Sequence, residues 1–498
     1  MGGGNDRLFF GELRMVDCEE LRAAISSHFE WLAVRENGRT YQLRADEIEI
    51  NGSNGRTRIG IISDNGYRSN TVRAFTKEGD RIFIEIMAEF GGRGERIEFV
   101  ARESAAALSA DIELARLQKA NEIAKAITEG LSGLRLTRVS LNADNGRLAQ
   151  IILTGRETSL AVLADVTASQ THETLLTTAL KWREKLRGRQ KNAIKSVWIA
   201  GEKRQARAAR KLCSLLNLPA RENLGILELL GDGKPARQLR IPAMAELWRE
   251  KSSRQSFPTE LEPSDLARRI IALSPDNIDI VYSAHGETLR FHGLPFARVR
   301  RAMGREAAWF GVGPKRRQLD PENPAPLEQL IVELQEYRRA ETPAPRHEYY
   351  RMAPEAWLES ILRRNINLLD ANLILSPIYN QFRSSRDKID LLALRKDGRL
   401  VIIELKTSPD REMIFQAADY WRKIELRRRR GELEKGRLFG DLKILDKPAL
   451  IYAVAPALSF HSDFEFFART LSPEIELWRW ELHEHWRNAV KVIARTNY

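Results

Sequence analysis

The sequence predicts a multidomain α/β (α+β) protein, and three observations carry that expectation. At 498 residues the chain accommodates about three domains on the usual ~150-residue scale, each large enough for its own core. Its first hundred or so residues alternate apolar and polar side chains between Asn-Gly turns, the signature of short half-buried strands. Its C-terminal part sets two apolar strands ahead of a helical pattern, the signature of a mixed sheet flanked by helices.

Taken in order, Leu8 to Arg102 contains stretches such as Arg58–Ile62 and Arg81–Ile86, punctuated at Asn51-Gly, Asn54-Gly, Asn65-Gly and Gly91-Gly. These define a small β-rich domain over 1–103. Asp111 to Gly130 has helical periodicity and opens an α/β domain over 104–235. A connecting region, 236–345, holds the polar stretch 251–256, hairpin-like strands over Ile278–Ser283 and Thr288–Val299, and a helix near 327–339. Pro321, Pro324 and Pro326 bracket that helix on one side and Glu341-Thr-Pro-Ala-Pro345 on the other, the latter reading as a linker. The last domain spans 346–498.

Composition narrows the partner and the compartment. The formal charge of +12 and the pI near 9.6 suit an anionic partner, for which nucleic acid is the natural choice. Bases concentrate at Lys181–Lys191, at Lys203 to Arg210, which includes Arg204, Arg207 and Arg210, and at Arg427, Arg428, Arg429 and Arg430. These arginines are the candidate phosphate contacts. Two cysteines, Cys18 and Cys213, provide neither a disulfide framework nor a zinc knuckle, so a reducing cytoplasm is expected. No apolar run is long enough for a membrane span, so no membrane partner is expected. Met1–Asp6 has neither a myristoylation Ser/Thr nor the regions of a secretory signal. The eight histidines are scattered, which argues against zinc.

Chemistry concentrates in Ile389-Asp-Leu-Leu-Ala-Leu-Arg-Lys-Asp-Gly-Arg-Leu-Val-Ile-Ile-Glu-Leu-Lys406. Both arms are apolar, and Lys396-Asp397-Gly398 supplies a three-residue loop with glycine at its left-handed position. Such a loop pairs Arg395 with Arg399, and counting back sets Asp390 opposite Glu404. Side chains alternate along a strand, so Glu404 and Lys406 share a face. Two carboxylates and an ammonium then converge among apolar strands, a donor set suited to Mg²⁺ or Mn²⁺. Thr407–Glu412 reads as a helix start with Pro409 in its first turn, followed by an apolar stripe at Met413, Ile414, Ala417, Ala418, Trp421 and Ile424. Gln416 and Tyr420 sit one turn apart beside that stripe. Pro354–Arg364 forms an earlier helix whose Glu359 borders its apolar face and leans toward the same site, with Glu355 on the solvent side.

A helix with Glu359, a strand with Asp390, a strand with Glu404-x-Lys406 and a helix with Gln416-x-x-x-Tyr420 together resemble the PD-(D/E)xK nuclease superfamily. The Q-x-x-x-Y element is similar to its RecB-like exonuclease branch. Ile389-Asp-Leu-Leu-Ala with Val401-Ile-Ile-Glu-Leu-Lys is similar to the branch holding mismatch-type nucleases. The resemblance covers 346–456 and implies a restriction-endonuclease-like mixed sheet flanked by helices, a divalent metal held by Asp390 and Glu404, and phosphodiester cleavage. It implies catalytic or supporting roles for Lys406, Gln416, Tyr420 and Glu359. Isoleucine precedes Asp390 where the motif has proline, and Asp387 offers an off-register second acid.

Leu163–Ser169 can be laid against Ile402–Ser408 without a gap, bringing Trp182-Arg183 onto Trp421-Arg422. Asp165 then stands for Glu404, Thr167 for Lys406 and Ile151 for Asp390, a degenerate nuclease-like copy that would serve as a DNA-binding or dimer-like partner. Near the C-terminus Ile475–Leu482 reads as a strand with Trp478 and Trp480 on one face. They either stack unpaired bases or cover the sheet. The leading expectation is a divalent-metal-dependent nuclease acting on DNA, in repair or defence. The alternative is a non-catalytic nucleic-acid-binding protein with a nuclease fold, and a homodimer is compatible with either.

Overall fold

The computed structural model describes residues 16–35, 40–53, 56–63, 66–87, 94–102, 105–156, 158–187, 194, 196–231, 233–249, 261–283, 286–302, 305–313, 316–320, 322–376 and 390–498. Asp387, Ile389, Pro321, the polar stretch 251–256 and residues 188–193 of the first basic run lie outside them. The protein is mixed α/β and multidomain, with four sheets among the described residues. Residues Met1–Glu122, Ser140–Ala149 and Asp165–Ser169 form one compact unit, and Ile123–Val139, Gln150–Ala164 and Gln170–Tyr498 the other.

The first unit is built on seven antiparallel strands in the spatial order Thr40–Arg44, Glu30–Arg35, Glu95–Ala101, Arg81–Ile86, Gly66–Glu78, Arg56–Ser63, Ile48–Ser53. Its two outermost strands are joined by the short turn Ala45–Glu47, so the sheet rolls toward closure, which shields edge strands. One core receives a side chain from every strand, including Trp31, Leu43, Ile50, Ile59, Val72, Ile84 and Phe99. Helix Cys18–Ser26 adds Leu21 and Ile25 to it, its start held by the Asp17 carboxylate accepting from the Glu19 N–H at 2.8 Å.

Two sheets share one layout. The C-terminal sheet runs Leu373–Leu375, Leu391–Arg395, Leu400–Leu405, Leu450–Pro456, Leu477–Leu482, Val492–Asn497. The earlier one runs Arg135–Leu141, Leu148–Thr154, Ser159–Asp165, Ser196–Glu202, Leu224–Leu229, Arg237–Leu239. In each, the third strand is parallel to the fourth, the fourth parallel to the fifth, and the fifth antiparallel to the sixth. In each, helices make the crossovers: His172–Arg187 and Lys203–Cys213 in the earlier sheet, Met413–Arg429 and Phe464–Ala468 in the later one. Central parallel strands are covered on both faces. Accordingly Leu400–Leu405 and Leu450–Pro456 are buried at every position.

The two sheets meet through corresponding elements. Helix His172–Arg187 packs on Met413–Arg429, and the segments after the second crossover helices pair antiparallel at Leu216 and Leu471. Asn217 N–H donates to Thr470 O at 2.9 Å and Ser472 N–H to Leu215 O at 2.8 Å.

The remaining sheet is an antiparallel meander, Ile278–Ser283, Gly286–Phe291, Leu294–Ala302, Arg305–Phe310, Arg317–Gln318, with helices Asp265–Ala272 and Ala325–Tyr337 contributing to its core. The single strand expected over 288–299 is two strands, because His292 (φ 42°) and Gly293 (φ 78°) adopt left-handed conformations and reverse the chain. Nor is 341–345 a loose connection. The Arg338 guanidinium, fully buried just before it, donates to the carbonyls of Phe291, His292, Tyr349, Met352 and Ala353 and lies 4.7 Å from the Trp357 ring. Burial first, then Arg487, lowers its pKa to about 9, and the carbonyls stand in for the water it has lost. Meander and C-terminal domain are thereby fastened together.

Candidate active site

The hairpin has the register that its loop chemistry dictates. Arg395 N–H donates to Arg399 O at 2.8 Å, Gly398 has φ 87°, and the strands pair Leu391 with Ile403. Asp390, one residue beyond that pair, therefore stands opposite Glu404. Its Oδ2 accepts the Leu405 N–H at 2.8 Å, tying the acid to the backbone between Glu404 and Lys406.

Glu404 is 3% exposed, because it belongs to a strand covered on both faces. Its Oε1 lies 3.3 Å from Lys406 Nζ, while its buried Oε2 has no hydrogen-bond partner. Burial raises the Glu404 carboxyl well above the ordinary range, the Asp390 charge adds to this, and Lys406 only partly offsets it. Burial alone would lower Lys406, but Glu404 and Asp410, the latter 3.1 Å from Nζ, hold its pKa above the usual value. Lys406 is thus a permanent cation between acids.

Helix Met413–Arg429 packs on the strands carrying Glu404 and Tyr452, pinned by Trp421 Nε1–H donating to Ala449 O at 2.8 Å. It begins at Met413, later than the expected start in 407–412, because Asp410 Oδ1 turns back to accept the Glu412 N–H at 2.7 Å. Gln416 and Tyr420 are half-buried on its flank, and Tyr420 belongs to the site. Its phenol pKa is raised by burial first and then by Glu404 and Asp390.

Glu359 lies elsewhere. It is 4% exposed and faces the meander, with Arg290 Nη1 at 3.4 Å from both its oxygens and Arg363 Nη1 at 3.8 Å. Asp279 completes that network, accepting from Arg290 Nε at 2.6 Å and from Ser360 Oγ at 2.7 Å. Glu355, expected to face solvent, is half-buried, and its charge helps to raise Lys406. Helical periodicity correctly gives Glu359 a buried face but does not say which of two neighbours covers it.

No family model, curated protein or solved structure matches this chain.

The arginine clusters divide. Arg204 and Arg207 are exposed and Arg210 half-buried on helix Lys203–Cys213, whose opposite face buries Ala206, Ala209 and Leu212. The second cluster is heavily paired and ranges from buried to exposed. Arg427 is buried, Arg428 pairs with Glu425 at 2.8 Å and with Asp446, Arg429 reaches Glu425 at 3.4 Å and covers the Trp248 ring, and Arg430 lies 3.7 Å from Glu432. Arg427 and Arg428 brace the helix end, whereas Arg429 remains exposed and Arg430 half-buried. Trp480 is 2% exposed, packed on Tyr452 at 4.6 Å under Arg495, so it covers the sheet.

In the earlier sheet the corresponding position is closed. Asp165 Oδ1 accepts both the Thr167 N–H and the Thr167 hydroxyl at 2.9 Å, and neither Asp165 oxygen is buried without a partner as Glu404 Oε2 is. Gly155 N–H donates to Thr158 O and Val166 N–H to Arg147 O, a register that sets Leu148, not Ile151, opposite Asp165. The shorter turn shifts the correspondence, and the residue remains apolar and buried. A group missed in sequence lies where the helices meet: His172 Nδ1 is 3.1 Å from Glu173 and its Nε2 3.9 Å from Asp419. Asp419 is already held by Arg422 at 2.8 Å and Lys423 at 3.0 Å, which makes this an ion-pair junction.

Proposed function

We propose that the chain is a divalent-metal-dependent nuclease of restriction-endonuclease-like fold that hydrolyses phosphodiester bonds in DNA, with Asp390, Glu404 and Lys406 at its centre. The observation that carries this reading is the buried, unpartnered Oε2 of Glu404 beside a second carboxylate. An orphaned carboxyl oxygen in a low-dielectric site costs several kcal/mol if ionised, a cost that a proton or a bound cation relieves. Lys406 already serves Oε1, so the donor set that remains fits Mg²⁺ or Mn²⁺.

Asp390 and Glu404 would hold that ion, which supplies charge neutralisation at the scissile phosphate and a lowered pKa for the attacking water. Lys406, kept protonated by Glu404 and Asp410, is a fixed donor that orients the water or a phosphate oxygen. Tyr420, kept neutral by burial and then by the adjacent acids, is a hydrogen-bond donor on the same side, and Gln416 one turn earlier extends that row. Glu355 supplements the negative field. Glu359 acts through the meander, holding helix Pro354–Arg364 in place.

The earlier sheet supplies grip without chemistry in this reading. Asp165 is satisfied by Thr167, whereas Arg204 and Arg207 are exposed. Its packing against the C-terminal sheet supports an internal partner in place of a second copy. The test is incubation of closed-circular single-stranded and duplex DNA with Mg²⁺, Mn²⁺ or chelator. Metal-dependent cutting is expected, and intact substrate under every metal condition would leave a binding protein without turnover.

A further inference from the structure

The meander sorts its charges by face. Glu287 accepts the N–H and the hydroxyl of Ser264, and Glu306 accepts the Leu266 N–H at 3.1 Å, so both acids cap the start of helix Asp265–Ala272 on the core side. The opposite face carries arginines. Register aligns Thr288, Arg298, Trp309 and Gln318 in one cross-strand row, with Arg300 two residues along from Arg298 on the same face. Neighbours in such a row stand about 5 Å apart at Cβ, and i,i+2 residues about 7 Å apart.

Among the described residues no carboxylate pairs with Arg298, Arg300 or Arg316, whereas Arg290 on that face is neutralised by Asp279 and Glu359. The Arg298 guanidinium is lowered by burial and then by Arg300 and Arg316, so the three cations share one uncompensated field. Arg298 Nε is buried without a hydrogen-bond partner. Trp309 is half-buried in the middle of the row, and Arg300, Arg316 and Gln318 are exposed. Helix Pro354–Arg364 docks on this same face through Ser360 and Glu359, and its first turn carries Glu355 toward Lys406.

We propose that Arg298, Arg300 and Arg316, with Trp309 among them, form a binding face for an unpaired nucleic-acid strand, the arginines taking phosphates and the indole stacking on a base. Clustered guanidiniums without acids need anions, and an accessible indole among them adds a platform that a paired base cannot use. The proposal takes the nature of its partner from the nuclease reading, but it concerns binding alone.

The experiment measures anisotropy of a labelled oligothymidine and of a labelled duplex with the full chain in chelator, across a salt series. Arg298→Ala/Arg300→Ala/Arg316→Ala should weaken oligothymidine binding at least about tenfold and reduce the salt slope by about 2, near 0.7 per lost single-strand contact. Trp309→Leu should weaken oligothymidine at least about fivefold and leave the duplex unaffected. Arg298→Gln, which keeps a polar side chain in the row, should fall between wild type and the triple variant, with melting temperatures checking that each variant folds. Unchanged affinity and slope in the triple variant overturn the site, as does wild type that binds neither ligand. Equal loss on both ligands in Trp309→Leu overturns the single-strand assignment. A wild type that binds oligothymidine with the expected slope yet never cuts DNA in Mg²⁺ sinks the nuclease reading and leaves this face standing.

Discussion

Asp390 Oδ2 accepts the Leu405 N–H at 2.8 Å, so one carboxylate is locked to the backbone that carries the other. The two acids cannot move apart to relieve their repulsion, because Glu404 lies in a strand buried along its whole length. The site is pre-organised at a cost that a bound cation removes.

That cost is measurable without catalysis. Glu404→Gln should match or slightly exceed the wild-type melting temperature in chelator, since a charge crowded by Asp390 is gone. Mg²⁺ should raise the wild-type transition and raise the variant's far less. Equal metal-induced shifts in both proteins would contradict the assignment of Glu404 as a ligand.

Glu359 and Glu355 separate structure from chemistry. Glu359→Ala leaves Arg290 buried with one carboxylate fewer and should destabilise by about 3 kcal/mol. Glu355→Gln should change stability by less than about 0.5 kcal/mol and raise the Mg²⁺ concentration for half-maximal cleavage. Denaturant titrations and a metal titration of activity check both, and the reverse pattern would return Glu359 to the site.

Gly293 is where the meander meets helix Pro354–Arg364. A Cβ there would lie 1.9 Å from Ala356 O, at φ 78°. Gly293→Ala should therefore cost clearly more than Gly313→Ala, whose Cβ meets nothing within 4 Å at φ 66° and which loses only about 1 kcal/mol of conformational energy. Equal losses in urea melts would show that the contact is not tight.

His292 stacks on Trp357 with centroids 5.4 Å apart, and burial, then Arg364 and Arg338, lower its pKa from 6.5 to about 4. The folded state binds this proton more weakly than the unfolded state. Its contribution is therefore complete above about pH 6.5 and is lost as pH falls toward 4, on the order of 3 kcal/mol. Melting temperatures of wild type and His292→Asn, a residue tolerant of φ 42°, should converge on acidification across that window. A gap that stays constant with pH would contradict the buried, neutral imidazole.

How much was legible in sequence depended on range. The Asp390–Glu404 alignment follows from a three-residue loop ending in Gly398, a local rule that fixes register for the whole hairpin. The single strand read over 288–299 failed at His292-Gly293, where two successive left-handed residues reverse the chain, a turn that no Asn-Gly or Asp-Gly pair announced. Arg428 was read as a phosphate contact because one of its partners, Asp446, arrives from beyond the helix. Glu359 was placed by its helix face, and the face was right, but Arg290 from the meander claims it. The gapless alignment of the earlier sheet put Ile151 at a position that Leu148 occupies, since turn length is set by backbone pairing that composition does not record.

The most direct measurement is cleavage of closed-circular DNA in Mg²⁺ by wild type, Glu404→Gln and Lys406→Ala, each shown to be folded. Wild type should cut and lose activity in chelator, and each variant should fall at least about a hundredfold while still binding DNA, since metal and water positioning act in the transition state. Undiminished cutting by either folded variant would contradict a centre at Asp390, Glu404 and Lys406.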